Sequence, residues 1–356
     1  MALAGYVRWL KAHRSKTGTP YRQMNMKTKA TDGQVDLLVT KDTPISTHHS
    51  GCIQPHATRQ IDPRLLKLFP ALNNGRLLMI DGHRMHFVDQ GGGDLDQDRS
   101  DPILMVHGNP TWSFYWRQLI DHFSATHRMI AVDHIGCGLS DKPQHYNYCL
   151  DQHIDNLVRL IEELDLKNIT LVVHDWGGAI GIGAAQKLVD RLKQIVITNT
   201  ACFPPPYVPW RIRACRSPWL GTKMMRGMNV FSRAATRMAT SRPGGLSEDA
   251  SFGLLYPYDN WANRVAIDRF VHDIPNSNKD ATWRTLEAIQ QNMELFGDLP
   301  ALIVWGMRDW CFRPECLVEF ERLLPHAQVK KLPEVGHYVM EDAADQVIKE
   351  MEEMLS

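Results

Sequence analysis

One segment constrains the fold more than any other: a β-branched apolar run that turns abruptly at an aspartate into a glycine-rich stretch. The segment reads Ile169-Thr-Leu-Val-Val-His174-Asp175-Trp176-Gly177-Gly178-Ala179. The pattern predicts a strand, a sharp turn and then a helix, which is the setting of a nucleophile elbow. We therefore predict that Asp175 is a nucleophile presented at such a turn.

The residue type at this turn determines the expected chemistry. Most elbows follow the pattern G-x-S-x-G, whereas here Val173 replaces the first Gly and Asp175 replaces the Ser. A carboxylate that attacks carbon forms an ester with the substrate, so we expect displacement at an alkyl carbon followed by ester hydrolysis. Taken alone, the pattern is also compatible with a structural turn, because His-Asp pairs followed by glycines occur there too.

A second turn supplies candidate hydrogen-bond donors for this chemistry. The apolar run 103–106 leads into His107-Gly108-Asn109-Pro110-Thr111-Trp112, which predicts a strand that ends in a Gly/Pro turn. In the α/β-hydrolase fold this turn faces the elbow, and one of its backbone N–H groups helps to stabilise an oxyanion. The backbone amides of Asn109 and Trp176 are the candidate donors.

Two later segments supply an acid and a base. Asp309 follows the apolar run 301–305, and His337 follows the run 329–332 after a turn that contains Pro and Gly. The order nucleophile, acid, base is that of the α/β-hydrolase fold. An acidic residue after a strand is often only a turn residue, but the position of His337 favours Asp309 as the orienting acid.

With these sites in order, the sequence resembles the haloalkane dehalogenase family over roughly residues 75 to 356. The resemblance is carried by three motifs, at His107–Thr111, His174–Gly178 and Asp133–Asp141. It implies that Asp175 is the nucleophile, that His337 is the base and that Asp309 is the acid. It also implies that the side chains of Asn109 and Trp176 hold the departing halide.

The position of the acid resembles one branch of that family. Another branch has Glu after the sixth strand, but here the strand is followed by Asn199-Thr200-Ala201. The sequence therefore looks like the third dehalogenase branch, which contains or lies close to the β-lactone decarboxylases of olefin biosynthesis. Three strings resemble those decarboxylases: Trp305–Asp309, Gly336–Ala343 and Tyr258–Arg264.

The resemblance implies two related activities with one catalytic set. The main interpretation is hydrolysis of a haloalkane, for which His337 must be neutral, at roughly pH 7.5 to 9. The alternative is decarboxylation of cis-3,4-dialkyl β-lactones to cis-alkenes. An epoxide hydrolase is a further alternative, with Tyr207, Tyr256 or Tyr258 as the acid, and so is a noncatalytic scaffold. Neither main activity requires a cofactor or a metal.

The order of the remaining elements predicts an α/β fold. Alternating strands and helices give a mostly parallel eight-stranded sheet with helices on both faces and an inserted helical cap. We expect the α/β-hydrolase core at 75–201 and 291–356, and the cap at 202–290. The predicted strands lie near 77–80, 85–89, 103–106, 129–132, 169–173, 194–198, 301–305 and 328–332.

Charge and cysteine usage limit the partners. Lys and Arg number 40 and Asp and Glu number 40, so the chain as a whole gives no electrostatic case for nucleic acid. A small apolar substrate is expected, and a homo-oligomer or an assembly with pathway enzymes is compatible with the sequence. The odd number of cysteines, 7, favours a reducing cytoplasm.

The N-terminal region differs from the rest of the chain. Residues 1–61 carry nine Lys/Arg against three Asp/Glu and show little apolar periodicity. We expect a disordered basic extension, or a translation start at Met24 or Met26. A short basic helix with weak membrane contact is the alternative.

Overall fold

The computed structural model describes residues 53–56, 61–91, 101–217 and 220–356. Nearly all of the basic extension expected at 1–61 lies outside these residues, and so does the membrane contact expected from it. In the described ranges, no helix combines the length and the apolar character needed to cross a bilayer. The same ranges hold six cysteines, all of them free thiols, and no group of three or more side chains that could bind a metal.

A single twisted sheet organises the molecule. Its strand order is β1-β2-β3-β5-β4-β6-β7-β8-β9, and the six strands from β5 to β9 in this order are parallel. The strands are β1 Ile53–Pro55, β2 Gly75–Ile80, β3 His83–Gly91, β4 Ile103–Val106, β5 Arg128–Val132, β6 Ile169–Asp175, β7 Leu192–Thr200, β8 Ala301–Gly306 and β9 Gln328–Leu332.

The eight predicted strands are all present, and the sheet has one more. The additional strand β1 pairs antiparallel with β2, within the region expected to be disordered. Its three residues, Ile-Gln-Pro, show no apolar alternation that could have predicted a strand. The backbone of β2 supplies the pairing that the sequence of β1 does not signal.

Helices cover the sheet and fill the connection between β7 and β8. Short 3₁₀ turns and the π-helical turn Lys223–Gly227 join several of them. The helices are α1 Pro63–Leu68, α2 Arg117–Phe123, α3 Leu150–Glu163, α4 Trp176–Lys187, α5 Trp210–Cys215, α6 Leu220–Thr222, α7 Val230–Met238, α8 Glu248–Leu255, α9 Val265–Asp273, α10 Ala281–Gln291, α11 Pro314–Leu323, α12 Val339–Asp342 and α13 Ala344–Leu355.

The central strands are apolar on both sides because both faces of the sheet are covered. In β6, Leu171 and Val173 pack with Ile154 of α3 in one core cluster. Val172, between them, packs with Leu119 of α2 in a second cluster on the other face. This division explains why the strand reads as a continuous apolar run, and it fixes Asp175 at the edge of the sheet where the parallel strands end.

The segment between β7 and β8 covers that edge. Trp112 Nε1–H donates to the carbonyl of Gly253 at 3.0 Å, and Tyr258 Oη–H donates to the carbonyl of Thr111 at 3.1 Å. Both bonds tie the inserted helices to the turn after β4. Helix α10 instead joins the core through Leu286 and Ile289. The cap boundaries at 202–290 stay a prediction.

Candidate active site

Asp175 lies at the abrupt turn between β6 and α4. Its φ of 52° and ψ of −130° are strained for a residue with a side chain. The hydroxyl of Thr200 donates to the Asp175 carbonyl and helps to hold this conformation. A Cβ at Gly108 would lie 2.0 Å from Asp175 Oδ1, and one at Gly177 would lie 2.0 Å from the carbonyl oxygen of Val106. Glycine is therefore required where the two turns meet.

The two oxygens of the Asp175 carboxylate have different surroundings. Oδ1 accepts the backbone N–H of Asn109 at 2.6 Å, whereas Oδ2 lies 3.6 Å from His337 Nε2. Burial raises the pKa of Asp175 above its usual value, although His337 and the backbone N–H groups of Asn109 and Trp176 partly offset it. Oδ1 is thus engaged by the Asn109 amide, whereas Oδ2 faces His337.

His337 is oriented by Asp309. The His337 Nδ1–H donates to Asp309 Oδ2 at 2.8 Å, so in the neutral ring Nε2 is left as the acceptor that faces Asp175. The other oxygen of Asp309 accepts the backbone N–H groups of Cys311 at 2.6 Å and Phe312 at 3.1 Å. The structure therefore brings together the predicted nucleophile, base and acid.

The charge on these neighbours determines how readily His337 binds a proton. Burial lowers the pKa of His337, but the carboxylates of Asp309 and Asp175 and the hydrogen bond to Asp309 outweigh it. The net pKa lies above the usual value for histidine. If Asp175 became an ester, it would lose its charge, and one of the causes that raise the His337 pKa would disappear.

Asn199 is a positioning residue that sequence analysis did not identify. Its Nδ2 donates to Asp309 Oδ2 and to the carbonyl of Gly306, both at 3.0 Å, and its Oδ1 accepts the Gly306 N–H at 2.7 Å. The side chain is fully buried and bridges the ends of β7 and β8. In the sequence, Asn199 was notable only for not being Glu.

His174 also has a role that the sequence did not indicate. A residue directly before the nucleophile is expected to point away from the cavity or to bind the backbone, and His174 is fully buried and is not among the described lining residues. Its ring lies 4.6 Å from the ring of His337 and 4.7 Å from that of Tyr115, measured between centroids. Burial, and then the neighbouring His337, hold the pKa of His174 well below its usual value. His174 is thus a neutral ring that packs against the ring of His337.

The two predicted leaving-group donors lie at the same end of the cavity as Asp175. Asn109 Nδ2 donates one of its two hydrogens to the carbonyl of Ile267 at 3.2 Å. The second amide hydrogen is not used in that bond and can be donated to a leaving group. The Trp176 indole lines the cavity and packs against Phe270, with ring centroids 5.5 Å apart. The Ile267 contact shows that Asn109 also connects the turn to α9.

The cavity above Asp175 is about 290 Å³ and mostly apolar. Among its described lining residues, the charged or titratable groups besides tyrosines and cysteines are Asp175, His337 and Arg211. The apolar walls come largely from the segment between β7 and β8, and include Phe203, Val208, Ile212, Phe231, Val271 and Ile274. Such walls suit an uncharged, apolar substrate.

The tryptophans and tyrosines near the strand ends divide between the cavity and the core. Trp310 lines the cavity, whereas Trp112, Trp116 and Trp305 are fully buried in the core. Of the three tyrosines considered for an epoxide hydrolase, Tyr207 lines the cavity. The hydroxyl of Tyr256 accepts the N–H of Asp62, and that of Tyr258 bonds Thr111 and Gly138, so both are engaged elsewhere.

Comparisons with known proteins agree with this geometry. Residues 101–344 match the family model for the alpha/beta hydrolase fold. The chain is 41% identical to the cis-3-alkyl-4-alkyloxetan-2-one decarboxylase of Shewanella oneidensis, over 77% of this chain and 86% of that protein. It is also 41% identical to the enzyme of that name from Xanthomonas campestris, over 75% of this chain and 90% of that protein.

Haloalkane dehalogenases are more distant relatives. Haloalkane dehalogenase 2 of Mycobacterium tuberculosis is 29% identical, over 74% of this chain and 88% of that protein. The crystal structure of the dehalogenase DatA from Agrobacterium tumefaciens has a TM-score of 0.69 at 23% identity, and covers 79% of this chain and 95% of that one. DbeA from Bradyrhizobium elkani has a TM-score of 0.69 at 24% identity, and covers 77% and 94%.

The solved structures are less than 25% identical to this chain, so they show only the fold. The sequence relatives show the family to which the chain belongs. The chain is therefore an enzyme of the α/β-hydrolase fold family, in the group that contains the cis-3-alkyl-4-alkyloxetan-2-one decarboxylases and the haloalkane dehalogenases.

Proposed function

We propose that this enzyme decarboxylates cis-3,4-dialkyl β-lactones to cis-alkenes. The observation that carries the proposal is the 41% identity to two β-lactone decarboxylases, against 29% to a dehalogenase over a similar length. From the sequence alone, haloalkane hydrolysis is the main interpretation and decarboxylation is the alternative, and this identity makes decarboxylation the first choice. An apolar cavity with few charged groups supports an uncharged dialkyl substrate.

In the proposed first step, Asp175 opens the lactone ring. Oδ2 attacks the ring carbon that carries the ring oxygen, and a new carbon–oxygen bond forms as the carbon–oxygen bond of the ring breaks. The bond electrons stay on the released carboxylate, which remains attached to the neighbouring carbon. The side-chain N–H groups of Asn109 and Trp176 stabilise the negative charge that develops on the leaving oxygen.

In the proposed second step, the adduct loses carbon dioxide. The bond between the carboxylate and its carbon breaks, its electron pair forms the alkene, and the ester bond to Asp175 breaks to regenerate the free carboxylate. Inversion in the first step followed by anti elimination in the second yields a cis-alkene from a cis-lactone. Atoms balance as lactone to alkene plus carbon dioxide, and no water is consumed.

Haloalkane hydrolysis is the second candidate, and the arrangement of the base favours it. His337 Nε2 lies beside Asp175 and is oriented by Asp309, as activation of a water molecule requires. Water would attack the carboxyl carbon of the Asp175 ester, with His337 taking its proton. The backbone N–H groups of Asn109 and Trp176 would hold the oxyanion that forms on Oδ1.

Isotopic oxygen distinguishes the two reactions. The purified full-length protein is allowed to turn over a cis-3,4-dialkyl β-lactone in ¹⁸O-labelled water, and the peptide that contains Asp175 is then weighed. Decarboxylation should give cis-alkene and leave Asp175 unlabelled, because water never enters the cycle. A parallel incubation with 1-bromohexane is the control, since ester hydrolysis would transfer labelled oxygen to Asp175.

The outcomes separate the proposals cleanly. Failure to release alkene from the cis-lactone would make the proposed function wrong. Labelled Asp175 together with a β-hydroxy acid would show that the lactone is hydrolysed instead. A trans-lactone serves as the stereochemical control.

Location and assembly belong to the proposal as well. We infer a cytoplasmic location from the six free thiols of the described ranges, because such thiols suit a reducing compartment. Cell fractionation tests this. A homo-oligomer or an assembly with pathway enzymes is tested by light scattering during size-exclusion chromatography of the full chain.

A further inference from the structure

The inserted segment between β7 and β8 exposes an unusual share of apolar side chains. Of eight large hydrophobic residues exposed in the described ranges, seven lie between 207 and 261. They are Tyr207, Trp210, Leu220, Met224, Met228, Met238 and Trp261, and the eighth is Val318. Because exposed apolar residues are normally scattered singly, their concentration in this segment of the chain points to an interaction surface.

The same segment is strongly basic although the chain as a whole is neutral. Residues 202–247 contain eight Lys/Arg and no Asp/Glu, within a chain that carries 40 of each charge. Five of these cations are exposed and make no ion pair with any carboxylate of the described ranges. They are Arg211, Arg213, Lys223, Arg233 and Arg237. The positive charge is therefore available to an external partner.

Three of the apolar residues form an outward ridge. Leu220, Met224 and Met228 follow one another at intervals of four, and are 62%, 37% and 67% exposed. Leu220 lies in α6, Met224 lies in the π-helical turn Lys223–Gly227 that follows α6, and Met228 comes directly after that turn. Met225, in the same turn as Met224, is fully buried and packs with Ile212 of α5, so the ridge is anchored to the neighbouring helix.

Arg264 fixes this ridge from within. Its guanidinium donates to the backbone carbonyls of Arg226 at 2.6 Å and Gly227 at 3.1 Å, and to those of Tyr258 and Asp259. Only 7% of Arg264 is exposed. The ridge is therefore a rigid feature and not a loose loop.

The cavity opens beside these residues. Tyr207 and Met238 line the cavity and are also 41% and 38% exposed, so both lie at its rim. The Arg211 guanidinium lies over the rings of Trp210, at 5.1 Å, and Trp310, at 5.6 Å. Because Arg211 also lines the cavity, the exposed Trp210 ring lies close to the cavity rim.

We propose that this face docks on the surface of a bilayer that contains anionic lipids. We call this face the basic ridge. It comprises the ridge of Leu220, Met224 and Met228 together with three exposed neighbours, Trp210, Arg213 and Lys223. Tryptophan, leucine and methionine side chains enter the interface, while Arg and Lys meet anionic headgroups. A partner protein with an acidic surface would satisfy the charges, but the cavity rim beside the ridge favours a lipid phase from which an apolar substrate enters.

The inference goes beyond the proposed function, because it does not depend on whether the substrate is a β-lactone or a haloalkane. It also differs from membrane contact through residues 1–61, since it assigns the contact to the inserted helices. Docking would bring the cavity rim to the phase in which long-chain substrates dissolve.

Vesicle flotation of the full-length protein tests the proposal. Vesicles of phosphatidylcholine alone are compared with vesicles containing about 30% phosphatidylglycerol, at about 50 and about 500 mM salt. Binding should require the anionic lipid and weaken at high salt. Arg213→Gln combined with Lys223→Gln, and Leu220→Ser combined with Met224→Ser and Met228→Ser, should each lower the partition coefficient roughly tenfold or more.

Matched controls lie outside the basic ridge. Val318→Ser removes a hydrophobic side chain that is 60% exposed, and Lys67→Gln removes an exposed charge, so both should bind vesicles as the wild type does. Thermal unfolding by circular dichroism verifies that every variant is folded. None of the substituted residues lines the described cavity.

Each other outcome overturns the proposal. If the wild-type protein does not float with any of the vesicle preparations, it has no such docking surface. Variants of the basic ridge that bind as well as the controls would assign membrane contact to another region. Concentration-dependent self-association that the ridge variants abolish, without vesicle binding, would identify the face as an interface between copies of this chain.

Discussion

Trp176→Phe should slow formation of the Asp175 ester and largely spare its hydrolysis. The substitution keeps an aromatic ring against Phe270, whose centroid lies 5.5 Å from that of Trp176, and deletes only the Nε1–H. In the proposed mechanism, that N–H stabilises negative charge on the leaving atom. In hydrolysis of the ester formed from a haloalkane, the oxyanion would instead be held by backbone N–H groups, which the substitution retains.

The expected magnitude follows from the loss of one preorganised donor. Removing a single side-chain donor to a developing negative charge costs about 10² to 10³ in rate, or roughly 2.7 to 4 kcal/mol. Asn109→Leu should slow the first step similarly. It also breaks the 3.2 Å bond to the Ile267 carbonyl, which should lower the free energy of unfolding by about 1 kcal/mol.

Single-turnover kinetics with rapid quench and intact-protein mass spectrometry resolve the two steps. With 1-bromohexane, the adduct on Asp175 should appear slowly in Trp176→Phe and then decay at close to the wild-type rate. Trp310→Phe is the matched control, because its indole N–H donates to the Met238 carbonyl at 2.8 Å and not to a leaving group. Wild-type alkylation in both Trp176→Phe and Asn109→Leu, on lactone and haloalkane alike, would refute their assignment as leaving-group donors.

The neighbours of the nucleophile give three further predictions. His337→Ala should still form an ester with 1-bromohexane but should not hydrolyse it, so mass spectrometry should show a stable adduct on Asp175; an unmodified protein would contradict covalent catalysis. Because only neutral His337 accepts a proton from water, ester hydrolysis should fall about tenfold for each pH unit below the pKa of His337 in the ester, and that pKa lies below the pKa in the free enzyme because the Asp175 charge is absent. Alkylation should persist to lower pH, since protonated His337 keeps Asp175 ionised, and rapid-quench measurements that find both steps lost together would contradict this order. Asn199→Ala should destabilise the fold by about 1 to 3 kcal/mol, because it leaves the Gly306 N–H without a partner, whereas the Gly306 carbonyl still accepts the Asp309 N–H. It should also shift the pH profile of ester hydrolysis, because Asp309 loses the hydrogen bond from Asn199 Nδ2. Chemical denaturation and the same kinetics check this prediction, and an unchanged pH profile would leave Asn199 a purely structural role.

The parts of this site that sequence could predict are those that depend on local pattern. Asp175 was identifiable because a buried parallel strand reads as a continuous apolar run and because the elbow needs glycines at close range. Asp309 and His337 were identifiable because each follows such a strand at the same edge of the sheet. In all three cases the structure places the residue at the end of its strand or in the loop that follows.

The parts that sequence could not predict depend on register between strands. Thr200 holds the Asp175 carbonyl because the two residues are paired across β6 and β7, with a register shift after His174. Asn199 reaches Asp309 only because β7 and β8 are neighbours. Neither contact can be predicted from the sequence near the residues involved. The same is true of β1, which is a strand because it pairs with β2.

In the proposed mechanism, the substrate and not a separate set of residues decides the fate of the ester. A haloalkane leaves an alkyl chain on Asp175 with no internal source of electrons, so the ester waits for the water that His337 activates. A β-lactone leaves a carboxylate on the carbon next to the ester, and loss of carbon dioxide supplies the electron pair that expels Asp175. That elimination is unimolecular and requires neither water nor a base. The same five residues, Asn109, Asp175, Trp176, Asp309 and His337, therefore suffice for both reactions, which explains why motifs shared by decarboxylases and dehalogenases do not by themselves separate the two activities.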